Sequence, residues 1–204
     1  EEHRIHFVSA RGPLAIASHV LGGSRFLEAT AADPEAAHAA LDIFTDTTIR
    51  FLEAQLDCLR DPWGVMVLDD IVGMLSPRAF GKIAQPYLER IFAAFSGLLR
   101  IYHNDTPCMH LVPKLSQLDF EMWHFSHEMD IAEVQRLSEG RIALMGNVPP
   151  VQVLANGTPE QVEAAARDML DRAETHAGLV LSPGGGVSNG TSLENIGALL
   201  HAVE

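Results

Sequence analysis

The sequence predicts an α/β fold in which parallel strands alternate with helices, and three observations support this prediction. Short apolar runs without polar alternation recur along the chain, as in strands that are buried on both faces. Longer amphipathic runs separate them, and several of these begin at a helix-capping signal. The chain has 204 residues, 47% apolar and 20% charged, so it is expected to form one globular domain over residues 1–204.

Six of the apolar runs are predicted strands, and each is followed by a predicted helix. The strands are expected at residues 5–10, 64–70, 100–105, 120–125, 141–148 and 178–184. The helices are expected over 33–59, from 76, from about 112, over 130–140, from 158 and from 192. A closed barrel of eight such units takes about 250 residues. Six units therefore predict either an incomplete (β/α)8 barrel of the TIM type or an open doubly wound sheet.

The helix boundaries rest on capping residues. Asp33 is a good N-cap, and Pro34 is tolerated as the first helical residue. Thr158, with Gln161 three residues later, forms a capping box, and Asp130 and Ser192 are predicted to cap the helices that begin at those residues. Pro86 lies within the helix that begins after Ser76, so it should kink or divide that helix.

The charge and the cysteine content limit the kinds of partner and the cellular compartment that are expected for this protein. The formal charge is −13, from 14 Lys and Arg against 27 Asp and Glu, which argues against nucleic acid or an anionic membrane as a partner. No apolar run reaches the roughly 18–20 residues that span a bilayer. Two cysteines, Cys58 and Cys108, match no metal or redox motif and suit a reducing compartment. Residues 1–14 lack the layout of a signal peptide, so a cytoplasmic protein is predicted.

Polar residues and glycines gather where the predicted strands end, which is where α/β folds place their active sites. The candidates are Arg11, Asp69, Asp70, His103, Asp105, His124, His127, Asn147, Gly184, Gly185 and Gly186. Most of them also have a purely structural interpretation: Asp69 and Asp70 as caps, Asn147 as a turn residue, and His124 as a packing residue beside aromatic neighbours. The three glycines indicate a tight turn more often than a phosphate cradle, and they match neither common phosphate-binding pattern.

His103 and Asp105 form the strongest pair of candidates. Alternate residues of a strand face the same side, so this His-x-Asp pair can chelate one divalent ion, with Zn²⁺ as the expected metal. His127 or Glu128 could supply a third ligand. Asp69 or Asp70 could instead act as a general acid or base.

Four phrases of the sequence together resemble the uroporphyrinogen decarboxylase superfamily. They begin at Asp69 (DDIVGMLSPRAFGKIAQPYLERI), Gly146 (GNVPPVQVLANGTPEQVEAAARDML), Leu179 (LVLSPGGGVSNGTSLENIGALLHAV) and, more weakly, Ser9 (SARGPLAIASHVLGG). The resemblance implies a (β/α)8 barrel of which this sequence holds the later three-quarters, without the first two units.

The resemblance also implies two possible chemistries. True decarboxylases of the superfamily use N-terminal arginines, an aspartate and a histidine in the last loop; Gly185 stands at the place of that histidine, which disfavours haem biosynthesis. The cobalamin-dependent methyltransferases of the superfamily bind zinc through His-x-Cys and a later cysteine. This sequence keeps His103, but has Asp105 and Gly185 at the cysteine positions.

The hypothesis is therefore a methyltransferase that moves a methyl group from a small methylated substrate, such as a methyl ether, to a separate corrinoid protein. In this hypothesis His103 and Asp105 hold the metal, Asp69, Asp70 and His127 are catalytic, and Arg11, Asn147 and the glycine loop bind substrate. One alternative is a decarboxylase in which Asp69 or Asp70 protonates the product and Arg11 holds a carboxylate. Another is a non-catalytic, partner-binding barrel fragment, because an incomplete barrel leaves sheet edges that favour a homo-oligomer.

Overall fold

The computed structural model describes residues 5–203, and these residues fall into two compact units. Unit 1 runs to His103 and includes residues 117–121. Unit 2 consists of residues 104–116 and the chain from Met122 onward. Among the residues 5–203, no helix is both long enough and apolar enough to cross a membrane.

Unit 1 is built on three parallel strands whose carboxyl ends are in register. The strands are β1 (Phe7–Arg11), β2 (Gly64–Leu68) and β3 (Leu99–Asn104). Arg11 pairs with Leu68, and Leu68 pairs in turn with His103. The residues that follow these pairs therefore start from one edge of the sheet.

The helices of unit 1 agree with the capping signals, but two of them were not predicted. Its helices are α1 (Pro13–Leu21), α2 (Gly23–Ala32), α3 (Pro34–Leu56), α4 (Pro77–Ala79) and α5 (Gln85–Ala94). The carboxylate of Asp33 accepts a hydrogen bond from Ala36 N at 3.1 Å, which confirms the predicted cap of α3. A π-helical segment (Phe80–Ala84) divides α4 from α5 next to Pro86, as predicted. Helices α1 and α2 lie in a stretch without a predicted capping residue.

Unit 2 repeats the arrangement with a second set of parallel strands. They are β4 (Met122–Phe125), β5 (Ala143–Val148) and β6 (Leu179–Pro183), paired in that order. Its helices are α6 (Val112–Leu115), α7 (Ile131–Ser138), α8 (Pro159–Arg172) and α9 (Leu193–His201). The buried side chains of β5, α8, α9 and the π-helical segment Pro150–Ala155 form one apolar cluster, which includes Val148, Leu154, Val162, Ala166 and Leu199.

The helix starts of unit 2 confirm three predicted caps. Thr158 N donates to the Gln161 side chain at 2.9 Å, and the Thr158 hydroxyl accepts from Gln161 N at 3.4 Å. Asp130 caps α7 through Glu133 N, and Ser192 caps α9 through Asn195 N. The predicted class is thus confirmed: six strands, each followed by helical segments, with parallel pairing in both units.

Candidate active site

The strand ends of unit 1 bring together a guanidinium, a carboxylate and an imidazole. Arg11 ends β1, and its Nη1 lies 3.3 Å from Oδ2 of Asp70. The other carboxylate oxygen of Asp70, Oδ1, lies 3.6 Å from Nε2 of His103. The Asp70 side chain is 28% exposed and that of Arg11 is 52% exposed, so both are accessible from solvent. Three predicted site residues therefore form one cluster, in which Arg11 and Asp70 are accessible and His103 is buried.

Asp69, by contrast, is fully buried, and its carboxylate accepts hydrogen bonds from backbone N–H groups. Its Oδ1 accepts a hydrogen bond from Ala15 N at 2.8 Å, and its Oδ2 accepts one from Leu14 N at 3.0 Å. Both donors belong to the first turn of α1, where N–H groups lack partners within the helix. Burial raises the pKa of Asp69 from its ordinary 3.8 to about 7, and the two backbone hydrogen bonds oppose that rise.

Gly12 is required for this anchoring of α1. A Cβ at position 12 would lie 2.4 Å from Oδ2 of Asp69, much closer than any real contact of that kind. The predicted strand stop at Arg11-Gly12-Pro13 is therefore also the point where the chain passes closely over Asp69. The turn was predictable from the sequence, but its cause, the close approach to Asp69, was not.

The backbone that carries the cluster is itself fixed by hydrogen bonds. Asp69 N donates to His103 O at 3.0 Å, and Gly12 N donates to Leu68 O at 2.7 Å. The hydroxyl of Tyr102, buried beside Phe92 and Phe120, donates to Asp69 O at 3.1 Å. These bonds hold the segment 69–70 against the end of β3 and so set the distance between Asp70 and His103.

The donor atoms around His103 suit a divalent metal ion. Two ligands of a tetrahedral ion with bonds near 2.0–2.1 Å are separated by about 3.4 Å, and Asp70 Oδ1 and His103 Nε2 are 3.6 Å apart. Asp105 follows His103 by two residues, and its role as a second carboxylate ligand stays a prediction from that spacing. An imidazole and carboxylates form an oxygen and nitrogen donor set that fits Zn²⁺ or a harder divalent ion.

Thiolate ligation is not supported by either cysteine. Cys108 is buried, and burial raises the pKa of its thiol to about 12. Cys58 is exposed near the end of α3, where its thiol donates to Ala54 O at 3.3 Å. The thiolate character that zinc prefers is thus absent from the residues around His103.

In unit 2, the strand ends fix a glycine loop through backbone hydrogen bonds. Nε2 of His124, a buried residue of β4, lies 2.8 Å from Pro183 O and 3.3 Å from Gly185 N. A ring nitrogen cannot donate and accept at once, so each tautomer makes one of these contacts. His127 N donates to Gly184 O at 3.3 Å. His124 and His127 therefore both hold the loop that follows β6.

Gly185 lies against the carboxylate of Asp105. Its φ is +145°, and a Cβ there would lie 3.1 Å from Oδ2 of Asp105 and 3.5 Å from Pro150 Cγ. Only glycine adopts this backbone conformation readily, and it leaves the flank of the Asp105 carboxylate uncovered. The tight turn that the sequence predicted at Gly184, Gly185 and Gly186 is thus also a boundary of the space beside Asp105.

Asn147 is used for the fold of this region. Its Nδ2 donates to Ser126 O at 3.0 Å and to Met129 O at 2.7 Å, and the residue is 5% exposed. Its role in substrate binding therefore stays a prediction, as do the catalytic roles of Asp69 and His127. The proximity of Asp70 to His103 was not foreseen, because only strand register reveals that the segment after β2 meets the end of β3. The expected third ligands, His127 and Glu128, likewise stay predictions.

Comparison with known proteins identifies the family. The family model described as uroporphyrinogen decarboxylase (URO-D) matches residues 5–204. A uroporphyrinogen decarboxylase of Coxiella burnetii is 28% identical over 216 residues, which cover 100% of this chain and 58% of the relative. A uroporphyrinogen decarboxylase of Nocardia farcinica is 31% identical over 207 residues, covering 95% of this chain and 57% of the relative.

A solved structure shows the same fold. A methyltransferase from Methanosarcina mazei superposes with a TM-score of 0.86 at 22% sequence identity, covering 96% of this chain and 57% of that one. The chain spans somewhat more than half the length of the relatives it matches. The six strand–helix units are thus those of a (β/α)8-type fold, and the chain belongs to the uroporphyrinogen decarboxylase family.

Proposed function

We propose that this chain is the metal-binding part of a methyltransferase that removes a methyl group from a small methyl ether. In this proposal Asp70, His103 and Asp105 hold a divalent metal ion, and a separate corrinoid protein accepts the methyl group. The methyl carbon leaves the ether oxygen, the electron pair of the broken C–O bond stays on that oxygen, and the reduced corrinoid supplies the pair for the new bond. The comparisons above support the more general conclusion that the chain is a member of an enzyme family with this barrel fold.

The observation that carries the proposal is the spacing of Asp70 Oδ1 and His103 Nε2. At 3.6 Å the two atoms are too far apart for a good hydrogen bond, yet their separation suits two ligands of one ion. Asp105, two residues beyond His103, supplies a further carboxylate. A divalent ion held by oxygen and nitrogen ligands is a hard Lewis acid. Such an ion, when bound, would stabilise negative charge on a leaving ether oxygen.

The protein residues have separate tasks in this scheme. Arg11 binds Oδ2 of Asp70 and leaves Oδ1 directed at His103, so it orients the carboxylate. Tyr102 and Asp69 fix the backbone that carries Asp70. Gly185 leaves room beside Asp105 for a substrate group that a larger residue would exclude.

Two comparisons support a methyltransferase over a decarboxylase only indirectly. The superposed structure is described as a methyltransferase, although its 22% identity concerns the fold. The position of Gly185 lacks an ionisable side chain, whereas the resemblance implies a histidine there for true decarboxylases. The choice between the two chemistries therefore depends on experiment.

The first experiment is the metal content of protein purified without chelators. We expect about one divalent ion per chain in the wild type and a loss of at least tenfold in the double variant His103→Ala, Asp105→Ala. Asp70→Ala should also lose the metal, while Cys58→Ala should retain it because no thiolate takes part. Equal metal content in the wild type and the double variant would remove these residues from the site.

The second experiment tests transfer directly. Protein loaded with the metal found is mixed with a methoxybenzene substrate and reduced cobalamin, and methylcobalamin is followed by its visible absorbance. Formation of methylcobalamin in the wild type, and not in Asp70→Ala, supports the proposal. Metal binding without transfer to cobalamin from any of a panel of methyl ethers would overturn the methyl-transfer part and leave the metal site standing.

Decarboxylation is the second candidate, favoured by the accessible Arg11 beside Asp70. The Arg11 guanidinium could hold a substrate carboxylate, and Asp70, unlike the buried Asp69, is exposed enough to donate a proton to the product. Release of CO₂ from small carboxylic acids, abolished in Arg11→Gln without loss of fold, would favour this candidate. Its measurement does not depend on metal content.

A further inference from the structure

A cleft of about 530 Å³ in unit 1 is lined by basic residues and by no acidic residue. It lies where the end of α2 and the start of α3 face α4 and the π-helical segment. Arg78, Lys82 and His38 provide its polar wall, and Ala31, Pro34 and Ile83 provide apolar surface. None of these residues belongs to the cluster around His103.

The basic wall contrasts with the negative net charge of the chain. The formal charge is −13, and seven arginines of residues 5–203 pair with carboxylates. Within the same described range, Arg78 and Lys82 make no ion pair, although acidic residues outnumber basic ones nearly twofold. The two lie four residues apart on a helical segment, where like charges repel one another. An anion bound between them would relieve that repulsion.

The neighbouring polar groups are already oriented. Nδ1 of His38 lies 2.6 Å from the hydroxyl of Tyr87, with the two rings tilted by 31°, so the imidazole is held in place. This contact leaves Nε2 of His38 as the ring nitrogen available to a ligand. The hydroxyl of Ser76 accepts from Ala79 N, which fixes the start of the segment that carries Arg78.

We infer that this cleft binds a small organic anion, with its negative group between Arg78 and Lys82 and its apolar part on Pro34 and Ile83. The combination of two cations, one oriented imidazole and an apolar floor matches an aryl or alkyl phosphate better than a free inorganic ion. This is a second binding site, beyond the proposed methyl transfer, and it uses no residue of that reaction.

The experiment is a calorimetric titration of the full chain with phenyl phosphate at low ionic strength. We expect saturable binding that weakens at least tenfold in the double variant Arg78→Gln, Lys82→Gln. The control variant Arg50→Gln, Arg60→Gln removes the same charge from two exposed positions and should change the Kd less than twofold. Inorganic phosphate should bind more weakly than phenyl phosphate, because it lacks the apolar part.

Two outcomes would overturn the inference. One is the absence of saturable binding of phenyl phosphate to the wild type, and the other is an equal loss of affinity in the control variant, which would indicate general charge attraction. If the double variant does not fold, amide chemical shifts of the wild type decide the question. Ligand-induced shifts confined to residues 30–38 and 76–87 support the site, and shifts elsewhere exclude it.

Discussion

The strand ends of unit 1 and those of unit 2 use polar side chains in opposite ways. In unit 1, Arg11 and Asp70 are partly exposed and lie 3.3 Å apart, and the buried His103 lies 3.6 Å from Asp70. In unit 2, His124 and Asn147 are buried and bind carbonyl groups of the backbone. The first region therefore exposes charge that can act on a ligand, and the second shapes a glycine loop. Residue type at a strand end does not separate the two uses, since His103 and His124 are equally buried; the exposure of the charged groups beside His103 does.

The largest expected effect concerns the pH dependence of stability, which should originate in unit 1. Asp69 has a pKa raised to about 7 in the folded state, so between pH 4 and 7 the folded chain holds a proton that the unfolded chain releases. Stability contributed by this group is therefore full below pH 4 and falls by about 4 kcal/mol as the pH rises to 7, at about 1.4 kcal/mol per pH unit. Urea unfolding at a series of pH values measures the slope.

The variant Asp69→Asn isolates that effect. It cannot ionise, so its free energy of unfolding should rise relative to the wild type by the same amount between pH 4 and 7. The variant also loses one hydrogen-bond acceptor, which changes its free energy of unfolding by an amount that does not depend on pH. Parallel curves for the two proteins would show that Asp69 keeps an ordinary pKa and that it is not the source of a pH dependence of stability.

The next effect tests the structural role of unit 2. Replacing Asn147 with Ala removes two hydrogen bonds to buried carbonyl groups, and we expect a loss of about 2 kcal/mol in the free energy of unfolding. The loss should not depend on pH, because no titratable group is involved. Asn189→Ala, at an exposed position of the same unit, should cost less than about 0.5 kcal/mol. If Asn147→Ala lowers the free energy of unfolding no more than this control, the Asn147 amide is not needed for stability and is available for substrate binding.

Local sequence signals predicted most of the fold. The caps at Asp33, Asp130, Thr158 and Ser192 are present as expected, because each depends on a side chain and a backbone N–H three residues away. Helix α1 was missed since its N-cap is Gly12, which makes no side-chain hydrogen bond. Its first turn is capped instead by Asp69, a residue 54 and 55 positions further along the chain. Such a long-range cap has no local signature.

The candidate site was predictable as a set of residues, but not as a set of contacts. The rule that active sites lie at strand ends placed Arg11, Asp70 and His103 in one candidate set, but it did not predict which of them are in contact. It could not distinguish Asp69 from Asp70, because adjacent residues differ only in which one turns inward after β2. Burial settles this, with Asp69 fully buried and Asp70 partly exposed. The metal, the corrinoid partner, the homo-oligomer and the cytoplasmic location stay predictions.

A smaller effect is expected for the glycine loop of unit 2. Gly185→Ala places a Cβ 3.1 Å from Asp105 Oδ2 at a φ of +145°, and we expect a loss of about 1–2 kcal/mol. Gly186→Ala meets nothing within 4 Å and should be nearly neutral. Urea unfolding of both variants gives the difference. If Gly185→Ala is as stable as Gly186→Ala, the loop adapts freely and does not define the space beside Asp105.

The smallest expected effect on stability is that of the Arg11–Asp70 ion pair. A double-mutant cycle with Arg11→Gln and Asp70→Asn should give a coupling energy below about 1 kcal/mol, because the Arg11 side chain is 52% exposed and salt screens such pairs. The same single variants should differ in metal content, since Asp70 offers a ligand atom and Arg11 only orients it. A coupling of several kcal/mol would instead make the pair a structural element, like the buried hydrogen bonds of unit 2. A weak coupling energy, together with metal loss in Asp70→Asn but not in Arg11→Gln, would show that the pair acts in metal binding and not in stabilising the fold.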